Sequence, residues 1–176
     1  MATRTAASSI ALPRLVMAQD SITRPANTTQ YGDGDALSDN ATTPTTAGYF
    51  TLPLAAKKGG GILIQSATLH KTDVDETAAD FDILLFDTAP AVAGFKDNAQ
   101  IAITDAEFLT CQGVIRFVNG SWTNGVTGNI QTQDNLNLGF VPVSTGVSVI
   151  GIVALAGTYT PASAEVFTLT MTALQF

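Results

Sequence analysis

The ten residues Val147–Ala156, VSVIGIVALA, carry no charge and are dominated by Val, Ile and Ala. Such a run suits a strand buried on both faces, because a pleated surface packs β-branched side chains well. It is too short to cross a bilayer as a helix, which takes about 20 apolar residues. The stretch after it, Glu165–Leu174, alternates: Phe167, Leu169, Met171 and Ala173 fall on one side, Thr168, Thr170 and Thr172 on the other. A period of two is the mark of a strand with one buried face. Between them GTYTPASA (Gly157–Ala164) supplies Gly, Pro and Ser, which turn the chain. These two strands are expected near the centre of a sheet, with the others built around them.

The other segments extend the pattern. Strands are expected over Gly48–Leu54, Gly61–Lys71, Asp80–Asp87 and Val114–Val118, and one or two short ones within Ile130–Val143. In Gly61–Lys71 the apolar residues Ile62 and Ile64 change parity at Ala67 and Leu69, which predicts a bulge near Gln65. Asn119–Gly120 and Asn124–Gly125 are hairpin-type turns on either side of Trp122. Thr104 with Glu107 forms a capping box, so one short helix is expected over Asp105–Thr110. Eight or so strands in 176 residues indicate an all-β protein: an antiparallel β-sandwich of jelly-roll type over residues 41–176. Residues 1–40, rich in Pro, Gly, Asp, Asn and Thr towards their end, are expected as an extended N-terminal arm. Pro13 and Arg14 interrupt what would be the apolar core of a secretory signal.

Composition narrows the function. Charged residues make up 13%, about half the usual share. The net charge of −7 gives no electrostatic footprint for nucleic acid, and no run is long enough for a membrane helix. Residues 1–30 hold three arginines against one aspartate, a net +2, so the body carries −9. From Asn135 to Phe176 the only charged side chain is Glu165. Two explanations fit that span: strands covered on both faces, partly by another subunit, or an exposed face of Thr, Ser and Asn.

Chemistry is found mostly by exclusion. His70 is the sole histidine and Cys111 the sole cysteine, too few for a zinc site or an internal disulfide. KKGGG (Lys57–Gly61) lacks the P-loop pattern. Asp33, Asp35 and Asp39 could offer oxygens to a cation, but the twelve-residue calcium loop with its closing Glu is missing, and turn stabilisation is the simpler reading. Asp73, Asp75, Glu76, Asp80, Asp82 and Asp87 include pairs that could serve glycoside hydrolysis. Nothing marks two of them as convergent in a pocket, and solvated loop and edge charges are the simpler reading. Tyr49, Phe50, Trp122, Phe140 and Tyr159 could stack on sugars or pack a core. No catalytic residue, metal or cofactor is expected.

Three segments resemble a family of small virion proteins encoded by tailed bacteriophages and prophages. They are TRPANTTQYGDGDALSD (Thr23–Asp39), DFDILLFDTAPAVAGFKDNAQ (Asp80–Gln100) and GTYTPASAEVFTLTM (Gly157–Met171). The resemblance implies a structural component of the virion without catalytic residues. With the chain's size, the sandwich and the arm, the expectation is a capsid decoration (cement) protein. It would be a homotrimer bound to the major capsid protein on the outer shell, with Arg4, Arg14, Leu15, Arg24 and Tyr31 as partner contacts. The alternative is a tail or fibre adhesion module that binds host glycan.

Overall fold

The computed structural model describes residues 12–72, 80–143 and 145–176. Among the described residues eleven strands run in chain order: β1 (Arg14–Thr23), β2 (Ala36–Leu37), β3 (Phe50–Leu52), β4 (Ile62–Lys71), β5 (Asp80–Phe86), β6 (Cys111–Phe117), β7 (Thr123–Asn124), β8 (Asn129–Gln133), β9 (Leu138–Phe140), β10 (Val149–Ala156) and β11 (Val166–Gln175). They form two antiparallel sheets. The larger is ordered β1-β11-β4-β8-β7, with β9 also on β4; the smaller is β2-β10-β5-β6, with β3 also on β10.

The pairing is that of a jelly roll. Taking β2 and β3 as one broken strand and leaving out short β7 and β9, eight main strands remain. The first pairs with the eighth (β1–β11) and the second with the seventh (β2 and β3 with β10). The third pairs with the sixth (β4–β8) and the fourth with the fifth (β5–β6). One long antiparallel ribbon has therefore been rolled into two facing sheets, as expected from the strand count.

The alternation in β11 sets its faces as the sequence predicts. Phe167, Leu169, Met171 and Ala173 have no solvent exposure, and the threonines between them face out. Burial of each large apolar side chain contributes about 1.5–3 kcal/mol. The bulge also falls where the sequence puts it. Thr172 pairs Ser66 and Ala173 pairs Ile64, so Gln65 is the extra residue and both apolar sets of β4 face inward.

β10 is covered on both sides, and its own chain does the covering. Val149, Val153 and Leu155 enter the main core, while Ile150 and Ile152 join a second cluster with Tyr49, Phe86, Phe95 and Ile103. Part of that cluster comes from the loop after β5. A helix α1 (Asp105–Phe108) follows that loop, with the predicted capping box formed. The Glu107 carboxylate accepts from Ala91 N at 2.6 Å and from Thr104 N and Oγ1 at 2.9 and 2.7 Å. Those bonds, the one from Ala91 foremost, hold its pKa below the usual carboxylate value. No second subunit is needed to bury β10.

The N-terminal region departs from expectation. Arg14–Thr23 is not arm but the edge strand of the larger sheet, paired residue for residue with β11 from Arg14↔Gln175 to Thr23↔Val166. Val16, Ala18 and Ile22 turn inward and Ile22 is fully buried. The period-two pattern is blunted by Ala18 and Asp20 on the inner face and by Leu15 and Met17 on the outer one. Residues 1–11 lie outside the described residues.

Candidate interaction surface

The outer face of the larger sheet is built from alternate residues of its strands. β1 contributes Leu15, Met17, Gln19, Ser21 and Thr23; β11 contributes Val166, Thr168, Thr170, Thr172 and Leu174. β4 adds Leu63, Ser66, Thr68 and His70, and β8 adds Ile130 and Thr132. None of these is Asp, Glu, Lys or Arg. The uncharged C-terminal region of the sequence is thus explained chiefly by a hydroxyl-rich exposed face.

Six of the eight hydroxyls on this face are paired with one another. Ser21 Oγ lies 2.8 Å from Thr168 Oγ1, Ser66 Oγ 2.6 Å from Thr172 Oγ1, and Thr68 Oγ1 2.9 Å from Thr132 Oγ1. A polar group already satisfied within the sheet loses less on leaving water than an unpaired one. The face can therefore be covered by a partner at low desolvation cost. The opposite side of the sandwich differs. There Asp82 receives a bidentate pair from Arg116 at 2.7 and 2.6 Å, which holds the guanidinium's pKa above its usual value.

A second constellation sits inside, at the end of the sandwich where β1, β4 and β11 meet the loops. Arg24 and Asp97 form an ion pair at 3.2 Å with both side chains fully buried. Tyr31 donates to Asp97 at 2.5 Å, Ser38 N donates to the same oxygen at 3.1 Å, and Arg24 Nε donates to the Tyr31 hydroxyl. Burial first, and the Asp97 charge second, push the Tyr31 hydroxyl pKa well above its usual value. Beside this trio lies a similar one. Lys71 and Glu165 are 3.7 Å apart and fully buried, and Tyr159 donates to Glu165 at 2.6 Å. The two tyrosine rings stack at 6.3 Å.

This cluster joins the three segments that carry the phage-protein resemblance: Arg24 and Tyr31 from the first, Asp97 from the second, Tyr159 and Glu165 from the third. Their side chains hold the roll closed. Spacing along the chain could not reveal this, since Arg24 and Asp97 are 73 positions apart.

The candidate partner contacts divide accordingly. Arg14 and Leu15 lie exposed on β1. Arg24 and Tyr31, at 2% and 1% exposure, are interior and correct the expectation that they face a partner. Arg4 lies outside the described residues. The alternation already placed the threonines of β11 on the outer side, whereas nothing in the sequence singled out Met17 as a surface residue.

The other candidate sites are occupied by structural tasks. Asp35 accepts from Gly32 N at 2.7 Å, and Asp39 from Thr45 N at 3.0 Å and from the Thr45 hydroxyl at 2.5 Å, which are turn contacts. Asp80 accepts from Asn119 N at 2.7 Å and Asp87 from Gln112 at 3.0 Å; Asp73, Asp75 and Glu76 lie outside the described residues. Among the described residues no group of three or more His, Cys, Asp or Glu could hold a metal ion, and no helix is long and apolar enough to cross a membrane. Tyr49, Phe50, Phe140 and Tyr159 are core residues, and Trp122 is half-buried against Phe81 and Phe117. A surface cavity of about 260 Å³ is lined by Asn27, Thr29, Ala41, Asp97, Asn98 and Ala99.

A scan against protein-family models and a search of curated proteins each give no match. Among solved structures, the chain is similar to a protein in the cyanophage Pam1 capsid asymmetric unit (13% identity, TM-score 0.38, 99% of this chain and 98% of that one). It is also similar to the decameric BFDV capsid protein (13%, 0.33, 93% and 96%) and to a Desmodium yellow mottle tymovirus chain (14%, 0.31, 99% and 94%). The class defined here, a jelly-roll β-sandwich with a charge-free outer sheet face, follows from its own strand pairing.

Proposed function

We propose that this protein is a structural component of a virion, a decoration (cement) protein on the outer surface of a capsid. It would bind the major capsid protein at subunit junctions, as a symmetric oligomer that the sequence reading puts at three copies. The observation that carries the proposal is the outer face of the larger sheet, where four strands present residues without a charged side chain and with most of their hydroxyls paired laterally. The sequence resemblance to phage virion proteins supports the same reading, as does the use of the acidic and aromatic candidates in turns and core.

The mechanism is mechanical. A subunit that binds the assembled lattice and not its free parts stabilises the lattice by mass action. Each copy adds interface area that expansion of the shell must break. A face with mostly paired hydroxyls and scattered apolar groups suits this, because little desolvation opposes contact.

Thr170→Glu places a carboxylate at the centre of the face, between Gln19 and Thr68. The variant is expected to keep its thermal midpoint within a few degrees and to lose binding to capsids stripped of the protein by about a hundredfold or more, the cost of covering an unpaired charge. Unchanged binding by the folded variant refutes the assigned face. Finding only a handful of copies per particle, at the tail, refutes the decoration role.

A further inference from the structure

Among the described residues β1 is the outermost strand of the larger sheet and pairs only with β11, so one side of it has no strand partner there. Edge strands are normally protected from pairing by Lys, Pro, bulges or inward charges. β1 is ten residues long, holds neither Lys nor Pro, and pairs β11 without a register shift. Leu15 and Met17 stand 66% and 71% exposed on it. Its two charged residues are Arg14 and Asp20. Arg14 is exposed and makes no ion pair among the described residues; Asp20 accepts from Thr51 N and Ser21 N, which leaves lone pairs on its carboxylate.

We infer that β1 pairs antiparallel with β1 of a second copy about a two-fold axis centred on Met17, joining two larger sheets into one. The register follows from charge. In such a pair the two sheet faces stay matched, so residues i and j opposite each other share parity. Centring on Met17 sets Arg14 opposite Asp20 of the second copy, twice by symmetry. It also sets Leu15 opposite Gln19, and Met17 opposite Met17. Centring on Val16 sets Arg14 opposite Ala18, and centring on Ala18 sets it opposite Ile22, so neither pairs the charges. Pro13, with no N–H to give, ends the ladder on one side. Asp20, held to Thr51 of the facing sheet, marks the other end. The charges that protect an isolated edge become complementary when the edge meets its own copy.

The pairing is independent of the capsid reading, since a dimer in solution needs no shell, and it yields two copies where that reading expects three. The first measurement is molar mass by light scattering over a concentration series. The full chain is expected to be a dimer and Arg14→Asp a monomer, because the substitution opposes two acidic groups twice. The second uses cysteines in a Cys111→Ser background. Met17→Cys is expected to oxidise to a covalent dimer, since opposed Cβ atoms lie within disulfide reach. Gln19→Cys alone is not, whereas Gln19→Cys mixed with Leu15→Cys is expected to cross-link. A monomer at every concentration, a trimer indifferent to Arg14→Asp, or cross-linking at Gln19→Cys but not at Met17→Cys overturns the inference.

Discussion

Substituting Arg24 by Met tests whether the buried cluster closes the fold. In the native protein the guanidinium donates to Tyr31, to Asp97 at 3.2 Å, and to the Asn27 and Ala162 carbonyls at 3.3 and 3.2 Å. Methionine fills a similar volume and donates nothing. Asp97 keeps its bonds from Tyr31 and Ser38 but becomes a buried carboxylate without a counter-charge. Breaking a buried pair from one side costs about 3–5 kcal/mol. In a domain of this size each kcal/mol lowers the melting temperature by about 2–4 °C, so a drop of roughly 6–20 °C is expected. Asp97→Asn leaves the opposite charge stranded and should cost a similar amount. The double variant removes both charges and should cost no more than either single one, the signature of a coupled pair. The assay is thermal and urea unfolding of all four proteins. Single variants that each cost under about 1 kcal/mol, or whose effects add, refute the view that this pair holds the N-terminal segment to the body.

The remaining predictions use the same measurements. Leu69→Ala empties a fully buried position in β4 and should destabilise by about 2–5 kcal/mol in urea unfolding. Gly128→Ala would set a Cβ 2.5 Å from the Lys71 carbonyl oxygen, so a backbone shift and a loss of about 1–3 kcal/mol are expected in the same assay. Tyr31 holds its proton more tightly folded than unfolded, so its contribution is whole below about pH 10 and falls as the pH climbs further. Tyr31→Phe should therefore flatten the alkaline fall of the urea midpoint. Deleting residues 1–30 removes β1 and breaks the cluster, so the remainder should unfold at much lower urea than the full chain; an unchanged midpoint would restore the arm reading for that region.

Local pattern determined what local physics controls. The alternation in Glu165–Leu174 assigned each side chain of β11 its face, because neighbouring residues of a strand must point opposite ways. The parity change around Gln65 located a bulge, and Thr104 with Glu107 announced a helix cap, since both depend on atoms a few residues apart. The charge-free span also pointed to a distinctive surface, though it left open whether solvent or a subunit lay against it. Tertiary structure alone decided the rest. β1 is a strand because β11, far along the chain, offers it a full ladder of hydrogen bonds; its own alternation, with Asp20 inside and Met17 outside, is too weak to announce one. Arg24, read as a surface cation, is interior because the roll brings Asp97 to it. Long-range pairing of this kind depends on where chain reversal carries each segment, and no spacing of residues encodes that directly.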